Sequence, residues 1–277
     1  MQKQRNKKKW KMKKSEIPWL IGVIVLLGVV AAGVFWPHPK VVTFTDPIIE
    51  QCAREELSIT NDEYQLTDED CQKVTNLSIF YDATVSLDDL KNFQNLEELY
   101  ILGATITDFS PAAALPKLRD VAITQAQVSD ISGLGGMQSI TEFALLSTPV
   151  TDVSVIATMD NLKSLAITDS PVTDISWLSG LVGLESLSIT GTQVSDISAL
   201  SGMVNLTELG LTANKIADVS ALSGMNKLIK LYLDDNQIVD VTPLSALQSL
   251  KTLHLRNNPI EDASSLEDLE NCDEILR

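Results

Sequence analysis

LESLSITGTQVSDISALSGMVN at residues 184–205 is followed at once by LTELGLTANKIADVSALSGMNK at 206–227, and the two runs align over 22 positions without a gap. Self-similarity at a fixed period of this size marks a repeat architecture, in which each unit buries its apolar side only against its neighbours. Outward from this pair, the apolar residue that opens an apolar-x-apolar triplet recurs every 22 residues at Leu77, Leu99, Val121, Phe143, Leu165, Leu187, Leu209, Leu231 and Leu253. The triplets close on Ile79, Ile101, Ile123, Leu145, Ile167, Ile189, Leu211, Leu233 and Leu255. With a side-chain period of two, such a triplet turns two side chains inward and the one between them outward. The spacing therefore predicts nine short strands. Further apolar residues stand three positions before the triplets (Leu96, Leu118, Leu162, Leu206, Leu250) and five after them (Ile106, Val128, Val172, Ile216, Ile260), so each coil is expected to bury a whole ring.

Further along each coil comes a run such as TDFS (107–110), TDIS (173–176), SDIS (195–198) or VDVT (239–242), with Asp at 108, 130, 152, 174, 196, 218, 240 and 262. Calcium takes six to eight oxygens, and these carboxylates come one per coil. An Asp just ahead of a short apolar turn is expected instead to cap exposed backbone N–H groups, and each coil needs the same cap. Neither a metal site nor a cofactor is expected.

This pattern resembles the 22-residue leucine-rich repeats of the internalin type found on Gram-positive bacterial surfaces, over residues 44–277. The resemblance implies an α/β fold, a right-handed leucine-rich-repeat solenoid with a curved parallel β-sheet and a helical N-terminal cap. The internalin pattern also places an Asn after each strand to bond neighbouring backbone. Asn214, Asn236 and Asn258 match it, whereas Ala104, Ala126, Thr148, Ser170 and Thr192 stand at the equivalent earlier positions. Ser and Thr replace part of those bonds and Ala none, so the early coils are expected to be looser or differently curved. Internalins also carry an adaptor domain and a wall-sorting signal that residues up to Arg277 do not show, so invasion of host cells is not implied.

The repeats are expected to span 77–262, between a helical cap at 44–76 and a polar closing cap at 263–277. Thr45-Asp46-Pro47 reads as an N-cap with proline at the first helical position, and Thr67 to Asp70 as a second helix start. Ile49, Leu57 and Val74 are the residues expected to cover the first coil. Cys52 and Cys71 fall in this cap, and an outward-facing domain meets an oxidising environment, so a disulfide between them is expected. Cys272 lies beyond nine expected strands, whose eight gaps of about 4.8 Å set the ends roughly 40 Å apart, and it is expected to remain apart.

Ahead of the repeats the composition changes. The formal charge of −16 divides into +7 over residues 1–36 and −23 over 37–277. Residues 1–16 form a basic tail. Residues 17–36 hold no charge and, at about 1.5 Å per residue, reach about 30 Å as a helix, one hydrocarbon core. Pro18 suits a first turn, Pro37 and Pro39 stop the helix, and Trp19 and Trp36 sit where interfacial aromatics belong. The basic residues before the span, Lys3 to Lys14, are expected to stay cytoplasmic, which sends the repeats outward beyond a linker at 37–43. The alternative is a secretory signal cut near Val30 to Gly33, disfavoured because the apolar run exceeds the usual ~7 to 15 residues. No basic cluster follows Lys40, which argues against nucleic acid.

The strands of such a solenoid line its concave face. Its middle is small, with Ala122, Ala144, Ala166, Ser188 and Gly210. Larger side chains gather at two ends: Phe80, Tyr81, Tyr100, Leu102 and Leu146 near the cap, and Tyr232, Asp234, His254 and Arg256 near the C-terminus. Aromatic residues and Arg are favoured interface anchors. An alternative for Phe80 and Tyr81 is packing against the cap, and for Asp234 and Arg256 an ordinary surface pair. Enzyme chemistry has little to stand on, since His38 lies in the linker, His254 has no nucleophile placed near it, and no phosphate loop or metal spacing occurs. The expected function is protein binding through the concave face of a membrane-anchored extracellular module. Cell-wall or carbohydrate contact, or a spacer role in a membrane complex, are the alternatives.

Overall fold

The computed structural model describes residues 39–277, of which 41–277 form one compact unit. The expected membrane span at 17–36 lies outside the described residues; among those described, no helix is long and apolar enough to cross a membrane. Ten parallel strands follow one another in chain order in a single sheet: β1 (Asn76–Phe80), β2 (Glu98–Leu102), β3 (Asp120–Thr124), β4 (Glu142–Leu146), β5 (Ser164–Thr168), β6 (Ser186–Thr190), β7 (Glu208–Gly210), β8 (Lys230–Tyr232), β9 (Thr252–His254) and β10 (Glu274–Leu276). The sequence period becomes the register, for Leu77 pairs with Leu99 and Leu99 with Val121. Between strands the chain returns through short 3-10 turns such as Ser154–Thr158 and Ser198–Gly202. The inward residues of the triplets form one continuous core with the apolar residues flanking them.

The tenth strand corrects the expectation of nine strands and a polar closing cap. Residues 264–276 repeat the coil once more, with a 3-10 turn at Ser264–Asp268 and Ile275 paired to Leu253. The triplet there closes on Arg277 rather than an aliphatic residue, which hides the repeat from an apolar-x-apolar search.

Each Asp of the repeated run accepts the backbone N–H two residues on, at the start of the turn. Asp108 takes it from Ser110 (2.8 Å), Asp196 from Ser198 (2.8 Å), Asp240 from Thr242 (2.8 Å) and Asp262 from Ser264 (2.8 Å). A 3-10 turn leaves its first N–H groups without an internal partner, and this carboxylate supplies one. The asparagines join coils. Asn236 donates to the Leu211 carbonyl of the previous coil (2.8 Å) and to Leu233 of its own (3.1 Å), while its Oδ1 accepts from Ile216 N (3.1 Å). Asn214 and Asn258 repeat the pattern.

The early coils are not loosened by lacking these asparagines. Strands β1 to β6 pair over five residues each, whereas pairings from β7 onward cover three. Around Ala104 and Ala126 the backbone itself bridges neighbouring coils, with Thr84, Thr105 and Gln127 in parallel bridges. There Ile106 N donates to the Gln127 carbonyl (3.3 Å), the duty that an Asn side chain performs for Ile216.

The cap is built as its sequence predicts. Helix α1 (Pro47–Glu56) starts at Asp46, whose carboxylate accepts from Ile48 N, and α2 (Asp68–Cys71) starts with a capping box between Thr67 and Asp70. The cap reaches further back than residue 44, for Val41 bridges Thr67 and Val42 N donates to the Leu66 carbonyl (2.8 Å). Asp89 of the first coil accepts from Thr45 N (2.7 Å) and Asp46 N (2.8 Å), tying cap to solenoid. The bridge expected between Cys52 and Cys71 is not formed: both are free thiols. They sit in the apolar core, where burial pushes Cys52 up to about 12 and Cys71 to about 11.

Candidate functional site

In each long strand the first, third and fifth residues face away from the core. In β2 these are Glu98 and Tyr100, both half-buried, and the exposed Leu102, while Leu99 and Ile101 face inward. Stacked by the register, they make three columns across the face. The third column begins with Phe80, 61% exposed, beside Leu102, 39% exposed, and continues through Thr124 to the half-buried Leu146. The central column is small from Ala122 to Gly210. The first column, which the triplet pattern does not single out, runs Glu98, Asp120 and Glu142.

The residues expected near the cap separate into three roles. Phe80 and Leu102 are open to solvent. Tyr81 instead packs partly buried against the core, its hydroxyl 3.3 Å from Glu55 on α1, so the cap-packing alternative holds for Tyr81 alone. Tyr100 is held from both sides, its hydroxyl donating to Asp120 (2.7 Å) and lying 3.1 Å from Glu98. Partial burial and these two carboxylates push its phenol well above the ordinary value.

At the far end the four expected residues also meet, though not as the sequence suggests. Asp234 accepts from the backbone N–H of Arg256 (2.6 Å) rather than from its guanidinium. The Arg256 side chain is exposed. His254 lies with Nδ1 3.5 Å from Asp234 and Nε2 3.7 Å from Glu274. Tyr232 meets it edge-on, ring centroids 4.9 Å apart. Glu274 belongs to the tenth strand and was hidden with it. No group of side chains that would hold a metal ion occurs among the described residues.

The family model described as Leucine Rich repeats (2 copies) matches residues 182–224 and again 226–271, the stretches that contain Asn214, Asn236 and Asn258. The crystal structure of internalin C2 from Listeria monocytogenes is 28% identical, with a TM-score of 0.64 over 86% of this chain and 96% of its own. The repeats are similar to leucine-rich repeats of the internalin type. The same solenoid fold, at 20% identity and a TM-score of 0.59, occurs in a leucine-rich-repeat protein of Leptospira interrogans, over 70% of this chain and 57% of that one. A plant peptide hormone receptor, RGFR1, shares it at 16% identity and a TM-score of 0.62, over 73% of this chain and 36% of its own. No curated protein matches the sequence. Along the solenoid, the departures from the internalin Asn pattern all lie N-terminal to residue 214, on the half that carries Phe80, Tyr100, Leu102 and Leu146.

Proposed function

We propose that the chain is a membrane-anchored, outward-facing leucine-rich-repeat module that binds a protein through its concave face and performs no catalysis of its own. The observation that carries the reading is an unpartnered sheet face on which Phe80 and Leu102, adjacent in register, stand exposed. Contiguous exposed apolar groups on an otherwise polar surface mark contact sites. RGFR1, of the same fold, is described in complex with the peptide RGF2, which is compatible with this use of the solenoid. The small central column, from Ala122 to Gly210, lacks the aromatics with neighbouring amides that carbohydrate sites want. The uncharged run at 17–36 and the basic residues before it support anchoring.

Crosslinking on intact cells tests the binding role. Replacing Tyr100 and Leu102 by alanine should lower the yield of the wild type's crosslinked protein partners more than tenfold, because truncating an interface anchor costs at least ~2 kcal/mol. Unchanged yield, with alanine at Tyr232 and Arg256 equally silent, makes the chain a spacer. Topology is read separately. Protease added to spheroplasts should remove residues 40–277 and spare an N-terminal tag, whereas a soluble secreted product starting near Gly33 would show signal cleavage instead.

A further inference from the structure

We infer that the N-terminal half of the concave face is shaped for one kind of partner, a basic amphipathic helix lying across the strands; this rests on the binding role proposed above. An apolar column comes first, with Leu102 exposed and Leu146 half-buried. Leu102 and Leu146 stand along one side, with Thr124 between them in register. Four residues back along the same strands, about 13 Å away at ~3.3 Å per residue, stand Glu98, Asp120 and Glu142. Between the two columns stand Tyr100, whose hydroxyl reaches Asp120, and then the small Ala122 and Ala144. Strands β1 to β6 contain no Lys or Arg, so the charges carried by these strands are all negative. Arg119, just before β3, is already paired with Glu97 and Glu98. Asp120 is engaged by the Tyr100 hydroxyl, and Glu142 is in no ion pair among the described residues.

Dimensions choose among occupants. A helix with its side chains is about 10–12 Å across, comparable to the ~13 Å that separates the apolar and acidic columns along the strands. Coils step about 4.8 Å, and residues three or four apart on a helix advance about 4.5–6 Å. A helix running across the strands therefore offers one side chain to each coil. An extended segment places same-side residues about 6.7 Å apart and falls out of step after one coil. Lys and Arg fit the acidic column because their methylene stems lie along apolar surface while the charged head reaches outward, here over Ala122 and Ala144 toward Asp120 and Glu142.

The test uses the full chain in nanodiscs of neutral lipid, with the photo-crosslinker benzoylphenylalanine in place of Ala144, or in place of Val204 on an exposed turn as reference. The probe is an 18-residue Leu/Lys peptide with its lysines along one flank of the helix. Comparators are the same composition in strict Leu-Lys alternation, which favours an extended chain, and the helical peptide with Glu for Lys. The helical Lys peptide should label position 144 and not 204, at a half-saturating concentration at least tenfold below either comparator. Asp120→Asn with Glu142→Gln, which removes charge and keeps an acceptor for Tyr100, should weaken labelling at least tenfold, as should Leu102→Ala with Leu146→Ala. Equal labelling by the alternating or acidic peptide, labelling at 204 alone, or indifference to the Asn/Gln pair overturns the helix assignment. If no peptide labels position 144 while concave-face variants still lose partners on cells, the helix proposal fails and the binding role stands. If those variants lose nothing on cells, the binding role itself has failed.

Discussion

The Tyr100 hydroxyl on β2 donates to the Asp120 carboxylate on β3 at 2.7 Å, locking the largest side chain of the N-terminal half-face across two strands. An anchor held in place before binding loses less side-chain entropy on binding. Partial burial first, then hydrogen bonds to Asp120 and Glu98, raise its phenol above the ordinary value of 10. The fold therefore favours the protonated form, and this stabilisation is complete below pH ~10 and is lost as pH rises beyond. Between pH 9 and 12 the melting temperature of the wild type should fall more steeply than that of Tyr100→Phe. Tyr64 and Tyr81 are also raised and are common to both proteins. Parallel curves would show that the Tyr100–Asp120 bond does not contribute.

Asn236 donates to carbonyls of two coils and accepts from a third backbone group, all near or within the core. Removing it leaves buried backbone groups without partners, each a cost of about 1–3 kcal/mol. Asn236→Ala should lower the urea midpoint accordingly. A midpoint within error of wild type would mean that the backbone ladder alone joins these coils.

The Asp ladder is a set of turn caps, and calcium distinguishes that role from ion binding. Hydrogen bonds from Ser198 hold the Asp196 carboxyl below its ordinary value, and Asp218 and Asp262 follow with Ser220 and Ser264. A lowered carboxyl contributes stability above its unfolded value near 4 and loses it as pH falls. Asp196→Ala should slightly lower the melting temperature at pH 7 and reduce its fall on acidification, while millimolar calcium or a chelator changes neither. A calcium-dependent rise in melting temperature would contradict this.

Two neighbours on β2 separate fold from face. Ile101 is 1% exposed and Leu102 39%. Ile101→Ala should cost roughly 2–5 kcal/mol of stability by leaving a cavity, whereas Leu102→Ala should change it by less than ~1 kcal/mol. Comparable losses in chemical denaturation would mean that Leu102 is part of the packing.

Much of this was legible because a 22-residue period is both sequence pattern and sheet register: knowing that Leu77 repeats as Leu99 already pairs them. The helix starts at Asp46 and Thr67 were legible because capping is local. What stayed hidden depends on other information. The tenth strand was masked by Arg277 at the closing position. The acidic column of Glu98, Asp120 and Glu142 lay one residue ahead of each triplet, outside the apolar pattern that defined the strands, although the same 22-residue spacing would have exposed it. Tyr81 and Phe80 are adjacent and aromatic, and only the position of α1 decides that one packs and the other projects. Ala104 and Ala126 looked like defects because a missing side-chain bond is visible in sequence, while the backbone bridge that replaces it is not.

Ala144→Arg places a long charged side chain at the centre of the concave floor, and Val204→Arg adds the same group to an exposed turn. Both proteins should fold, since neither position is in the core. Quantitative crosslinking on intact cells should show partner yield falling more than tenfold for Ala144→Arg and unchanged for Val204→Arg. Equal yields from the two would contradict binding through the concave face.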